Sequence, residues 1–291
     1  MKLKETKEFF QNELAGLYNV EEIDSFFYIL IEFYLGLKRI SLVLKPELTY
    51  SKKVMEPILT ALEDLKKEIP IQYILGETAF FGLPFKVNSH VLIPRPETEE
   101  LVDWILNIEK SESINNGLKI LDIGTGSGCI AVSLAKNLIH AQVYALDVSH
   151  DALEVAKRNA VLNNVSVEFI QVNMLQPETW NTEFKNLRFD IIVSNPPYVR
   201  ELEKAQMKSN VVNNEPHLAL FVKNEDPLIF YKAITQYAVN NLTPKGHLFF
   251  EINEYLGKQM RLLLKSFDFN AIELKQDIFK KDRMIKGIIS K

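Results

Sequence analysis

From residue 119 onward, short apolar runs alternate with amphipathic ones, and this alternation constrains the fold more tightly than any other feature of the chain. The strand-like runs "KILDIG", "AQVYALD", "SVEFIQV" and "FDIIVSNPP" are interspersed with helix-like "SGCIAVSLAKNL" and "SHDALEVAKRNAVLN". Next come "DPLIFYKAITQYAVNNL", "GHLFFEIN", "YLGKQMRLLLKSF", "FNAIELKQDI" and "DRMIKGIIS". Strands buried on both faces can be apolar throughout, and parallel neighbours need a crossover between them. The pattern therefore predicts right-handed βαβ units and a mostly parallel, doubly wound α/β sheet.

Ligands of such sheets sit outside the carboxyl ends of the strands. The first strand ends in a loop that carries Gly124, Thr125, Gly126, Ser127 and Gly128. Its glycines permit a tight turn and a close backbone approach to a ligand. A dinucleotide fingerprint would place its third glycine at 129, but Cys129 stands there, which argues against a pyrophosphate seated on the following helix. The second strand ends at Asp147, about 20 residues after the loop, where a carboxylate accepts from ribose hydroxyls or caps a helix starting near Ser149. Asp122, just before the loop, reads either as an acid that holds the loop or as a satisfied strand-end carboxylate. The third strand delivers Asn173 and Met174, an amide and an apolar side chain suited to recognising and sandwiching an adenine ring. The loop and these residues suggest a nucleoside ligand.

The fourth strand runs into "NPPY", Asn195 to Tyr198. Proline cannot donate to a ladder, so the motif ends the strand, and its two rings stiffen the chain at that edge. The Asn195 side-chain oxygen and the Pro196 carbonyl can together accept both hydrogens of an –NH2 group. In an amide or a nucleobase amine that nitrogen is a poor nucleophile, because its lone pair is delocalised. Acceptors placed out of its plane favour a more tetrahedral nitrogen with its lone pair aimed at an electrophile. Tyr198 is expected to pack its ring on the planar group that carries the nitrogen.

The combination of "DIGTGSG", Asp147 and "NPPY" resembles the S-adenosylmethionine-dependent amino-methyltransferases, whose targets include adenine N6 in DNA, guanine N2 in RNA and glutamine side chains. Three further segments resemble one branch of them: "PIQYILGETAFFGLPFKVNSHVLIPRPETEELV", "NNEPHLALF" and "DIFKKDRMIKGII". That branch is the protein-(glutamine-N5) methyltransferases that modify peptide chain release factors (PrmC/HemK).

The resemblance implies a Rossmann-like class I S-adenosylmethionine-dependent methyltransferase domain, with a seven-stranded, mostly parallel sheet whose last strand is antiparallel. A small all-α N-terminal domain and a connecting β-hairpin precede it. The implied boundaries are 1–75 for the helical substrate-binding domain, 76–96 for the hairpin linker and 97–291 for the methyltransferase domain.

The same resemblance implies that Gly124, Thr125, Gly126, Ser127, Gly128, Asp147, Asn173, Met174 and Asn195 contact S-adenosylmethionine, which would leave as S-adenosylhomocysteine. Asn173 stands where the family commonly has an acid. Asn195, Pro196 and Tyr198 are the implied catalytic residues. With Pro197 they would bind the glutamine of a release factor's Gly-Gly-Gln loop, with Arg95, Pro96 and Glu97 at the edge of that pocket or bracing it. The alternative target is a nucleobase of DNA or rRNA.

Before residue 75, "EIDSFFYILIEFYLGL" and "VMEPILTALEDLKKEI" carry apolar residues at helical spacing and nothing that looks chemical. After Pro70 the texture changes to short aromatic and β-branched runs broken by Gly and Pro, as a hairpin requires. A helix is expected to start near Glu97 or Thr98.

A net charge of −4 offers no general attraction to nucleic acid, so stable nucleic-acid binding is not expected, and a nucleobase enzyme would need a basic face. The single cysteine, Cys129, permits no intrachain disulfide. No uncharged apolar run approaches the roughly 20 residues of a membrane helix, and the start does not read as an export signal. These features lead to the expectation of a soluble cytoplasmic protein, taken as monomeric. His90, His140, His150, His217 and His247 lack metal-ligand spacing, so no metal is expected.

Overall fold

The computed structural model describes residues 1–45, 47–112, 117–176 and 187–289. The chain divides into two compact units, residues 1–76 with 208–214, and residues 77–207 with 215–291.

The first unit contains the helices α1 (Leu3–Leu14), α2 (Val20–Leu35), α3 (Arg39–Leu44), α4 (Lys52–Lys66) and α5 (Ile71–Leu75). Their ends follow from local chemistry. The Asn19 side chain accepts from Glu22 N at 2.8 Å to open α2, and Gly36 closes it in the left-handed conformation. Phe10, Leu14, Phe27, Leu30, Met55, Ile58, Leu62 and Leu65 form its core. Each such side chain stabilises the fold by about 1.5–3 kcal/mol on burial.

The second unit opens with a hairpin, β1 (Glu77–Phe80) and β2 (Leu83–Lys86). Phe81 and Gly82 both have positive φ at its turn, which suits the right-handed twist of paired strands. The hairpin is more than a linker, because Phe80 and Phe85 are buried in the core of this unit. Asn159 binds it at both backbone atoms of Lys86, at 2.6 and 2.9 Å.

Next come α6 (Pro96–Glu112), β3 (Lys119–Ile123), α7 (Cys129–Asn137), β4 (Gln142–Asp147), α8 (His150–Leu162), β5 (Glu168–Gln171), β6 (Phe189–Ser194) and the two-residue β7 (Val199–Arg200). Helix α9 (Ser209–Asn214) lies in the segment that belongs to the helical unit, where Asn214 Nδ2 donates to Glu68 O at 3.1 Å. The chain then forms α10 (His217–Leu220), β8 (Phe221–Val222), α11 (Ile229–Asn241), β9 (Leu242–Glu251), α12 (Gly257–Ser266), β10 (Phe269–Gln276) and β11 (Asp282–Ile289).

The main sheet has seven strands in the order β10-β11-β9-β6-β3-β4-β5. Its pairings from β9 to β5 are parallel, and β11 runs antiparallel to both neighbours. Successive residues of a strand face opposite sides. Ile120, Ile191, Val193 and Phe249 therefore pack in one core with α6 and α7, while Leu121, Ile123, Ile192, Leu248 and Phe250 pack in the other with α11 and α12. After β3 the chain adds β4 and β5 on one side and then returns to β6 on the other, which puts the crevice where the order reverses at the carboxyl ends of these strands. Helix α6 starts at Pro96, slightly before the expected Glu97 or Thr98. Proline is favoured at a first helical position because its fixed φ is already helical.

Candidate active site

A cavity of about 360 Å³ opens at the carboxyl edge of the sheet. Its floor is the glycine loop after β3. Gly124 and Gly126 have φ of 74° and 54°, and a Cβ built on either would meet nothing within 4 Å. Both glycines leave their backbone open to a ligand in a conformation that other residues adopt only with strain.

Gly128 has a different task. A Cβ there would stand 3.0 Å from Ala156 Cβ, so this glycine allows the loop to approach α8, and it does not line the cavity.

Asp147 stands at the end of β4 and lines the cavity. Its Oδ2 accepts from Gly126 N at 2.8 Å, fixing the loop, and its Oδ1 accepts from Ser149 N at 2.9 Å. The helix cap itself is Ser149, whose Oγ accepts from Ala152 N. A carboxylate has about four lone-pair sites, so Asp147 retains acceptor capacity toward the cavity it lines. Burial pushes its carboxyl above the usual range, and its backbone donors only partly offset this.

Asp122 lies beneath the loop, completely buried, and its Oδ2 accepts from Thr125 Oγ1 at 2.6 Å. Burial is the largest cause of its rise to about 7, to which the charge of Asp147 adds.

Asn173 and Met174 follow β5 and line the cavity beside Val172 and Leu175, while Phe230 and Ile234 of α11 add further apolar wall. Cys129 also borders the cavity, but burial raises its thiol to about 12, so it is a neutral wall residue.

Asn195, Pro196 and Pro197 form the rim beyond β6. Asn195 Nδ2 donates to Thr98 Oγ1 at 3.3 Å, and the Thr98 hydroxyl donates to Glu251 Oε2 at 2.6 Å. Tyr198 does not line the cavity. Its hydroxyl donates to Glu251 Oε1 at 2.9 Å, and its ring packs against the core beside α11. Tyr198 is half-buried behind the rim, and Glu251 supplies the hydrogen-bond partner that its phenol needs.

Arg95 borders the cavity and is held by Glu215, whose side chain is 1% exposed, at 2.6 Å. The second Glu215 oxygen accepts from Ile93 N at 3.3 Å. This clasp joins the strap before α6 to the Pro216–Ala219 wall across the cavity mouth. Glu97 is outside the lining, since its position in the first turn of α6 leaves Thr98 and Arg95 to face the cavity.

Sequence reasoning missed Thr98 and Glu251 as residues of the site. Only the pairing of Ser194 with Phe250 reveals that Glu251 comes beside Asn195. Among the described residues no group of three or more His, Cys, Asp or Glu could hold a metal, and no helix is long and apolar enough to cross a membrane.

The arrangement can hold a nucleoside on the loop and Asp147, and an –NH2 group against the acceptors at Asn195 and Pro196. Comparison with known proteins adds three findings. Residues 7–76 match the PrmC N-terminal domain family, and residues 106–218 match the Methyltransferase small domain family. The chain is 54% identical to the release factor glutamine methyltransferase of Flavobacterium psychrophilum, over 98% of this chain and 99% of that one. It is 38% identical to the protein of the same name from Bacteroides thetaiotaomicron, over 95% and 96%. Among solved structures, a 16S rRNA N2 methyltransferase of T. thermophilus in complex with AdoMet and guanosine has a TM-score of 0.53 at 17% identity, covering 73% of this chain and 49% of that one. At this identity the likeness concerns the fold alone.

Proposed function

The chain belongs to the release factor glutamine methyltransferase family, and on that premise we propose that it methylates the side-chain amide nitrogen (N5) of the glutamine in the Gly-Gly-Gln motif of peptide chain release factors. The observation that carries this reading is the meeting of Asn195 and Pro196 with the glycine loop and Asp147 around one cavity. The nucleobase alternative loses ground to the full-length relatives that carry the glutamine methyltransferase name.

S-adenosylmethionine fits the residues present. Gly124 and Gly126 leave open space where side chains would stand, Asp147 keeps acceptor capacity for ribose hydroxyls, and Met174 with its apolar neighbours suits a flat base. This cofactor supplies an electrophilic methyl group on a sulfonium and leaves as S-adenosylhomocysteine.

The protein's own part in the reaction is positioning and polarisation. Asn195 Oδ1 and the Pro196 carbonyl accept the two amide hydrogens of the glutamine and draw its lone pair out of conjugation. Pro197 holds the geometry rigid, and Arg95 frames the entrance. The amide nitrogen loses one of these protons to water after its new bond to carbon forms, so no side chain is required as general base. Holding the groups in reacting geometry supplies the rate advantage. The helical N-terminal unit belongs to the recognition of a large protein substrate, and the enzyme acts as a cytoplasmic monomer without stable nucleic-acid binding.

Mass spectrometry of a release factor incubated with the protein and S-adenosylmethionine tests the reading. One added methyl on the Gly-Gly-Gln glutamine supports it, while methyl transfer to rRNA or DNA with none to the release factor refutes it.

A further inference from the structure

An amide that must offer its oxygen to a substrate has two orientations of nearly equal shape, related by a half-turn about its last bond. The wrong one presents Nδ2, a donor, to the –NH2 group that needs an acceptor. Something must choose between them at Asn195.

We propose that Thr98 and Glu251 are positioning residues that set the orientation of the Asn195 amide. Against its burial, two hydroxyl donors and the charge of Arg283 favour the ionised form of Glu251. In that form it has no hydrogen to give, so the Thr98 hydroxyl donates to it, at 2.6 Å. With its one hydrogen committed, Thr98 Oγ1 can only accept, and it accepts from Asn195 Nδ2 at 3.3 Å. The amide oxygen is thereby turned toward the substrate.

Thr98 and Glu251 are 2% and 1% exposed, so water does not compete for these bonds. Tyr198 is the second donor to the same carboxylate, at 2.9 Å, which keeps Glu251 from rotating away from Thr98. The relay links the first turn of α6 to the end of β9, positions 153 residues apart in the chain, and so ties Asn195 to two rigid elements. Thr98 also lines the cavity, but its effect on the reaction passes through Asn195.

This inference rests on the amide-methylation reading, and the experiment separates the two. Single-turnover transfer to release factor is measured for wild type, Thr98→Val, Thr98→Ser and Glu251→Gln, with S-adenosylmethionine affinity by calorimetry on each. Valine keeps the shape of threonine without the hydroxyl, and its transfer rate is expected to fall roughly ten- to a hundred-fold, the scale of a misplaced reacting group. Cofactor affinity should stay within about twofold of wild type, since valine keeps the shape of the cavity wall. Serine restores the hydroxyl and should recover most of the rate.

Glu251→Gln can donate to Thr98 and so reverse the relay. It should slow transfer as Thr98→Val does, and it keeps the test open if the valine variant misfolds. Wild-type rates in Thr98→Val or Glu251→Gln overturn the proposal. So does a serine variant as slow as valine, or a loss of cofactor affinity that matches the loss of rate, because either is the mark of a merely structural role. Absence of any transfer by wild type refutes the methylation reading instead.

Discussion

Asp122 offers the sharpest quantitative test of the electrostatics beneath the cavity. Its carboxyl is completely buried and is raised by that burial from 3.8 to about 7. The gap, about 3 on the pH scale, is worth roughly 4 kcal/mol. Because the folded value lies above the unfolded one, the unfolded chain ionises first. Stability that is fully present below pH 4 is therefore lost as the pH rises toward 7, and above 7 the loss is complete.

Asp122→Asn keeps an oxygen to accept from Thr125 but cannot ionise. Its unfolding free energy, taken relative to wild type, should rise by roughly 4 kcal/mol between about pH 4 and pH 8. A constant offset from the new amide hydrogens does not alter that change. Asp147 and Glu251, also raised by burial, are common to both proteins and largely cancel. Urea unfolding of the two proteins across this range measures the difference. Curves that stay parallel within about 1 kcal/mol would show that Asp122 ionises as an ordinary surface acid and refute the reasoning.

Three other substitutions probe the rest of the site. Asp147→Ala removes the acceptor for Gly126 N and the proposed acceptor for the ribose, so calorimetry should show S-adenosylmethionine binding weakened roughly ten- to a hundred-fold; unchanged affinity would contradict the role. Asn195→Ala should reduce kcat by about a hundred- to a thousand-fold while cofactor Kd moves less than about threefold, and equal losses in both would place Asn195 in cofactor binding instead. Arg95→Ala leaves the buried Glu215 carboxylate with Ile93 N alone, and since Arg95 itself is one-third exposed, a discounted cost of about 2 kcal/mol is expected in thermal or chemical unfolding. No change in stability would mean that the clasp is not formed in solution.

The alternation from Lys119 to Ile289 was enough to read the sheet, because strands covered on both faces must be apolar and their crossovers must be amphipathic. The glycine loop, Asp147, Asn173, Met174 and the Asn-Pro-Pro turn were legible for the same reason, since each stands at the carboxyl end of a recognisable strand. Tyr198 could not be placed from the motif alone, because its ring direction depends on Glu251, which register brings alongside from 53 residues away. Thr98 looked like a helix start, and it owes its importance to partners more than 90 residues distant. Gly128 reads as one of three equivalent glycines until the approach of Ala156 is seen. The hairpin read as a linker because its aromatic residues do not reveal which core they fill.

The central claim is that two oxygen acceptors at the end of β6 prepare a glutamine amide for methylation. It is tested most directly by mass spectrometric mapping of a release factor after incubation with S-adenosylmethionine and either wild type or Asn195→Ala. A single methyl on the side-chain nitrogen of the Gly-Gly-Gln glutamine with wild type, and almost none with the variant at equal cofactor saturation, is the predicted result. A methyl on any other residue, or equal methylation by the two proteins, would contradict it.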